Sequence, residues 1–216
     1  MKKANISKNV IQRMPRYLRA LDELAQEGVM RISSGELGDR MGLTPSQIRQ
    51  DFSCFGGFGQ QGYGYNVDTL REEIGAILGV DHGYSMILVG IGKIGQSLLE
   101  NFNFQRWGFT LKAAFDIRHD IIGETLCGVP VLDCAELAGF VKEHAVDVAV
   151  LSTSRHNAQT VADVLIRSGI RAIWNFTECE ISAGDSGVAI ESVHFSDSLL
   201  RLGYYLNVKE TPDTNS

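Results

Sequence analysis

No run in this chain of 216 residues is apolar enough to cross a bilayer, and its first residues lack a secretory leader's hydrophobic centre. A spanning helix needs about 20 consecutive apolar residues, so a soluble, cytoplasmic protein without a membrane partner is expected. Cysteine is sparse. Cys54, Cys127, Cys134 and Cys179 are scattered without C-x-x-C spacing, which argues against a disulfide framework or zinc site and leaves reduced thiols. His119, His144 and His156 stand isolated in the sequence, so no catalytic residue and no metal ligand is assigned. Acid is missing from the first twenty residues, which carry Lys2, Lys3, Lys8, Arg13, Arg16 and Arg19. Residues 1–66 have a net charge of +3 within a chain of net −6, leaving −9 for the remainder. A basic head on an acidic body predicts that only the head meets a polyanion.

Within that head, Val10, Ile11, Met14, Tyr17, Leu18, Leu21 and Leu24 recur at helical spacing. Pro15 either kinks this helix or opens its main segment. Ser33 with Glu36, and Thr44 with Gln47, fit capping boxes, and Gly42 stops the first of the two short helices they open. Joined by Gly42-Leu43-Thr44, the pair reads as a helix-turn-helix. The second helix would offer Ser46, Gln47, Arg49 and Gln50 to a major groove, because Arg suits guanine edges and Gln adenine edges. Ile48 and Phe52 would face the core. Phe55 to Tyr65, with five glycines and four aromatics, reads as a β-hairpin wing or as a linker; linkers of the Gly/Ser type lack aromatics. Asn66 then caps a helix ending at Gly79, read as the connector to a second domain.

The remainder is organised around Tyr84-Ser-Met-Ile-Leu-Val followed by Gly90-Ile91-Gly92-Lys93-Ile94-Gly95. Strand, Gly-x-Gly-x-x-Gly and helix in this order form the dinucleotide fingerprint. Its first glycine allows the turn, its second the approach of a pyrophosphate, and its third close helix–strand packing. A second strand, Thr110–Asp116, ends in an acid 21 residues after Gly95, where a ribose-binding carboxylate belongs. Asp116 predicts NAD(H) over NADP(H), with Arg118 as the opposing influence. Further strands at 129–132, 147–151, 171–175 and 188–193 alternate with helices at 133–144 and 156–168, the pattern of a doubly wound parallel α/β sheet. Thr153 and Asn175 follow strand ends, where such sheets bind ligands; they are candidates for the nicotinamide half, or ordinary loop polars. A last helix, Ser196–Asn207, is apolar on several sides.

Ile32-Ser-Ser-Gly-Glu-Leu, Thr44-Pro-Ser-Gln-Ile-Arg-Gln-Asp51, Phe55-Gly-Gly-Phe-Gly, Gly62-Tyr-Gly-Tyr-Asn-Val67 and Gly90-Ile-Gly-Lys-Ile-Gly95 together resemble the Rex family of redox-sensing transcriptional repressors. The resemblance covers nearly the whole chain. It implies a winged helix-turn-helix domain at 1–80, a Rossmann NAD(H)-binding domain at 81–194, and a C-terminal dimerisation helix and polar tail at 195–216. It further implies a homodimer that binds double-stranded operator DNA and is released when NADH accumulates relative to NAD. The last helix would swap into the partner beside the cofactor, with Phe195 near the nicotinamide. DNA contacts are expected from Lys8, Arg13, Arg16, Thr44, Ser46, Gln47, Arg49, Gln50, Phe58, Gln60, Gln61 and Tyr63. The resemblance departs at Gln60 and Gln61, where a basic pair is expected, and at His194, where an Asp is expected; Asp197 lies close by. The competing reading is an NAD-dependent dehydrogenase with a helical appendage. After six strands a single helix remains, too little for a catalytic domain.

Overall fold

Seven side chains at helical spacing make the first helix amphipathic, and the computed structural model buries Val10, Met14, Tyr17, Leu18, Ala20, Leu21 and Leu24 of α1 (Lys8–Gln26). Residues 6–56, 58 and 63–210 are described, with the backbone alone at 209–210. The chain divides into two units, Met1–His82 and Gly83–Ser216.

In the first unit, Ser7 caps α1 by accepting from the Val10 N–H. Pro15 therefore lies inside the helix rather than at its start, and leaves the Ile11 carbonyl without its usual donor. Ile11, expected on the apolar face, is half exposed. β1 (Arg31–Ile32) leads into α2 (Ser34–Met41), whose Ser33/Glu36 capping box is complete, and the left-handed Gly42 ends it. α3 (Pro45–Ser53) follows, and its Ile48 and Phe52 are buried. β2 (Tyr65–Asn66) pairs antiparallel with β1, Ile32 opposite Tyr65. The last strand of the expected wing thus pairs with the residues before α2. Gln60 and Gln61 lie outside the described residues. α4 (Val67–Leu78) is capped by Asn66 and stopped by Gly79. Read as the connector at the end of the head, it packs on α1 within the first unit and buries Val67, Leu70 and Ile74. Each such fully buried side chain is worth about 1.5–3 kcal/mol against exposure.

The second unit is built on β3 (Tyr84–Val89), α5 (Lys93–Asn101), β4 (Phe109–Asp116), β5 (Thr125–Leu126), β6 (Val129–Asp133), α6 (Leu137–Glu143), β7 (Val148–Leu151), α7 (Ala158–Arg167), β8 (Ala172–Asn175), β9 (Ala189–Ser192) and α8 (Phe195–Glu210). One sheet of seven strands runs β5-β6-β4-β3-β7-β8-β9, parallel except for β5 against β6. The two-residue β5 was not foreseen, and the helix expected over 133–144 begins as a 3-10 turn at Cys134–Glu136. β3 alternates cleanly. Met86 and Leu88 enter one core with Leu99, Phe104 and Val131, while Ile87 and Val89 enter the other with Phe115, Val141 and Leu165. Chain order reverses between β4 and β7, on either side of β3, so a crevice opens beyond the carboxyl ends of β3 and β7.

α8 does not dock on its own unit. It begins one residue earlier than expected, and Phe195, Leu199, Leu200, Leu202, Tyr204, Tyr205 and Leu206 are all exposed. Among the described residues no helix is long and apolar enough to cross a membrane, and no group of three or more His, Cys, Asp or Glu could hold a metal ion.

Candidate functional sites

The loop at the reversal point is shaped by its glycines. Gly90 has φ +94, and a Cβ there would lie 2.8 Å from the Ser152 carbonyl oxygen. A Cβ on Gly95 would meet the Gly90 carbonyl oxygen at 2.0 Å, so only glycine lets α5 approach the end of β3 this closely. Gly92 differs: its φ of −73 suits any residue, and a Cβ would meet no atom within 4 Å. Packing does not require glycine there, whereas close approach by a ligand would. Gly92 also leaves α5 with no side-chain cap. The helix thus presents unpaired N–H groups and its positive dipole end, with exposed Lys93 at its first position. Ile94 is half-buried and Ile91 buried. A cation at a positive helix end is unfavourable unless an anion joins it.

Asp116 closes the loop from β4. It accepts from the Ile91 N–H at 2.6 Å, the Ile117 N–H at 2.8 Å and the Arg118 N–H at 3.0 Å. Burial pushes its pKa up, but these donors and the Arg118 charge outweigh that and hold it below the usual Asp value. Opposite stands Thr153, whose buried Oγ1 has no hydrogen-bond partner. An orphaned hydroxyl, an open side at Gly92, an uncapped helix and an ionised acid fit a dinucleotide's polar groups.

Asn175, the other nicotinamide candidate, is fully buried. Its Nδ2 donates to the Cys179 carbonyl and to Ser192 Oγ, and its Oδ1 accepts from the Thr177 N–H and hydroxyl. Its capacity is spent, so Asn175 is a peg holding the end of β8. Phe195 stands exposed at the start of α8. His194 Nε2 lies 3.3 Å from Glu180 Oε1 without an aligned hydrogen bond.

In the head, Ser46, Arg49 and Gln50 stand exposed on α3, with Thr44 exposed as its cap. Arg49 is pre-aimed: its guanidinium donates to Ser34 Oγ at 2.8 Å and to Ser46 Oγ at 3.3 Å. Thr44 accepts from the Gln47 N–H, but Gln47 does not return the bond as a capping box would. Its Nε2 donates instead to Asp51 Oδ1 at 2.8 Å. Asp51, which sequence reasoning did not single out, is wholly buried. It also receives Arg13 Nε at 2.6 Å, Arg13 Nη2 at 2.8 Å and the Tyr17 hydroxyl at 2.8 Å. Burial would raise its pKa, yet Arg13, Tyr17 and Gln47 together keep it below the usual Asp value. Two residues expected on DNA, Arg13 and Gln47, are thereby engaged inside the head. The i, i+4 spacing of Gln47 and Asp51 was the only sequence signal for this network. Arg16 reaches the Met41 carbonyl at 3.1 Å, and Lys8 is exposed. Phe58 and Tyr65 pack edge-on against Phe52, each at 5.3 Å between ring centroids. Tyr63 is 71% exposed.

Comparison with known proteins adds two family matches, "putative DNA-binding protein N-terminus" over residues 5–53 and "CoA binding domain" over residues 81–179. The redox-sensing transcriptional repressor Rex of Clostridium beijerinckii is 49% identical over 210 residues, covering 97% of this chain and 99% of that protein. Rex of Caldicellulosiruptor saccharolyticus is 46% identical over 208 residues, 96% and 94% of the two chains. The crystal structure of RSP in complex with β-NAD+ and operator DNA superposes with a TM-score of 0.89 at 45% identity, covering 96% of this chain and 95% of that one. RSP in complex with β-NADH superposes with a TM-score of 0.88 at 42% identity, covering 96% and 97%.

Proposed function

Because this chain belongs to the Rex family of redox-sensing transcriptional repressors, we propose that it binds operator DNA as a homodimer and is released from it in the NADH-bound state. It is a regulator, not an enzyme; the dehydrogenase reading is not favoured, since the relatives are repressors and a RSP structure holds operator DNA. NAD and NADH are its cofactors, in keeping with the RSP complexes. The observation that carries the reading is the union on one chain of an uncapped helix at an open Gly92 with a helix-turn-helix whose Arg49 is already oriented.

Lys93, Ile94 and Gly95 at the start of α5 would hold the pyrophosphate, Asp116 the adenosine ribose, and Thr153 the nicotinamide half. Asn175 would act through the position of its neighbours rather than by contact. When bound, the cofactor supplies a ring that is a planar cation when oxidised and neutral when reduced. On DNA, Ser46, Arg49 and Gln50 would read base edges, while Lys8, Arg16, Thr44 and Tyr63 would meet the backbone. Arg13, Gln47 and Phe58 would serve by holding α3 and the wing in place. Gln60 and Gln61 remain proposed wing contacts. We assign residues 1–80 to the DNA head, 81–194 to the cofactor domain and 195–216 to dimerisation. The exposed leucines and tyrosines of α8 support a second copy as cover. Operator DNA in a bacterium lies in the cytoplasm, and that is the compartment proposed.

A gel shift with a two-fold symmetric operator duplex tests this. The expected result is a complex that persists with NAD and dissociates with NADH. A complex indifferent to NADH, or no complex with any such duplex, would overturn it.

A further inference from the structure

We propose that Ser152 is a positioning residue of the dinucleotide loop: by holding the Gly90 carbonyl, its hydroxyl sets how tightly every form of the cofactor binds without telling oxidised from reduced. This deepens the assignment of Gly90–Gly95 to the dinucleotide, and rests on it. Ser152 follows the last residue of β7, and its N–H donates to the Val89 carbonyl at 2.9 Å. Its Oγ donates to the Gly90 carbonyl at 2.7 Å, with the Val89 carbonyl farther off at 3.3 Å. A hydroxyl has one proton, and the shorter contact takes it. Among the described residues no backbone N–H donates to the Gly90 carbonyl, so Ser152 supplies its donor. The rest of Gly90 is fixed as well. Its N–H donates to the Phe115 carbonyl at 2.8 Å, and a Cβ on it would come within 2.9 Å of the Thr153 nitrogen.

An anion site needs N–H groups turned toward the ligand and carbonyl oxygens turned away. At the entry to α5 the first helical bond runs from the Gln96 N–H to the Gly92 carbonyl at 2.8 Å, which leaves the N–H groups of Lys93, Ile94 and Gly95 for a ligand. The Gly90 oxygen lies in the joint between β3 and α5 instead. A Cβ on Gly95 would stand 2.0 Å from that oxygen and 2.9 Å from Ser152 Oγ. The Ile91 carbonyl is taken by Arg118 Nη2 at 2.7 Å. Without the Ser152 hydroxyl, the Gly90 oxygen loses its donor inside a crowded joint. Glycine permits the peptide to rotate, and the carbonyl would then turn toward the phosphates it now avoids. That change falls on the part of the ligand that NAD, NADH and ADP-ribose share. Thr153, next in the chain, carries its unpartnered hydroxyl on the nicotinamide side. Ser152 thus sets the nucleotide pool over which the ratio of reduced to oxidised cofactor can be read, and leaves the ratio itself to the groups around the ring.

Titration of the full-length protein with NADH, NAD and ADP-ribose, by fluorescence for the first and calorimetry for the others, tests this in wild type, Ser152→Ala and Ser152→Thr. Ser152→Ala should weaken all three by one common factor of about threefold to tenfold, the scale of one neutral hydrogen bond. The NADH/NAD affinity ratio and operator binding without cofactor should stay as in wild type. Ser152→Thr keeps the hydroxyl and should recover most of the loss. In a gel shift, Ser152→Ala should leave operator at the wild-type NADH/NAD ratio when total nucleotide is saturating, and should need a larger pool below saturation. If Ser152→Ala does not fold, Ser152→Cys, whose thiol is a weaker donor, should show the same pattern at smaller size. Unchanged affinities in Ser152→Ala overturn the proposal, as does a loss confined to NADH, or a loss in Ser152→Thr equal to that in Ser152→Ala. A fall in operator binding without cofactor would show a general structural role and overturn it too. If the wild type binds none of the three nucleotides, the loop assignment itself fails, a separate outcome.

Discussion

Asp51 is a wholly buried carboxylate, and its four donors come from α1 and from its own helix. Such a group is costly to bury and more costly to abandon. Arg13→Ala leaves it with Tyr17 and Gln47 alone and should cost about 3–5 kcal/mol, the usual loss on breaking a buried ion pair; denaturant unfolding followed by circular dichroism measures it. The folded pKa of Asp51 is depressed. Its stabilisation is therefore present above the unfolded value of about 3.9 and is lost as pH falls through the lower folded value. Asp51→Asn should flatten that acid limb of the stability curve. DNA titrations distinguish Arg13, engaged on Asp51, from the proposed contacts. Arg49→Ala should weaken operator binding by about 1–3 kcal/mol and relax base choice. Lys8→Ala should reduce the slope of log K against log salt by about 0.9, one phosphate contact. In Arg13→Ala, assayed where it is folded, that slope should not change.

At the scale of elements, α5 allows the ligand's demand on a glycine to be separated from the fold's. Gly92→Ala has an ordinary φ and open space, so stability should change by no more than about 0.5 kcal/mol, as for an unconstrained site. NADH affinity should nevertheless fall, because the methyl group occupies the pyrophosphate's approach. Gly95→Ala puts a methyl at 2.0 Å from a backbone oxygen and should destabilise by about 1–3 kcal/mol or more, as overpacking does. Thermal unfolding beside a fluorescence titration measures both. That contrast also marks what the sequence could convey. Strand, glycines, helix and acid lie within one short segment, so their spacing revealed the loop. The caps on α2 and α4 were legible for the same reason: donor and acceptor lie three residues apart. Arg13 and Asp51 are separated by 38 residues, and nothing local distinguishes an arginine bound for phosphate from one bound for a carboxylate. The bonding of Asn175 was only partly legible in the same way. Its place at a strand end is local, but the partner that spends its amide on β9, Ser192, is not. β5 escaped notice because two residues carry no periodicity.

At the scale of the whole molecule, one chain carries sites for two ligands. The basic head ends at His82 and the acidic unit begins at Gly83. A ligand of one unit can affect the other's only by binding differently to two arrangements of the dimer. Two heads read a symmetric operator when their α3 helices are about one DNA turn apart, roughly 34–36 Å, or a multiple of it. α8 is the element best suited to set that spacing. It carries Leu199, Leu200 and Leu202 exposed, and follows directly on Ser192 and His194, beside the peg at Asn175. Deleting the chain from Phe195 onward should convert dimer to monomer in sedimentation and abolish the effect of NADH on DNA, while leaving weak, salt-sensitive DNA binding to the heads. In the intact protein the coupling must be reciprocal. The factor by which NADH weakens operator binding equals the factor by which operator weakens NADH binding. At a typical coupling of ~1–3 kcal/mol, that factor is about 5–150. NADH affinity measured by fluorescence should therefore drop by it when saturating operator duplex is present, and not when the duplex is scrambled. An affinity unchanged by operator would mean that the two sites share a chain without sharing an equilibrium.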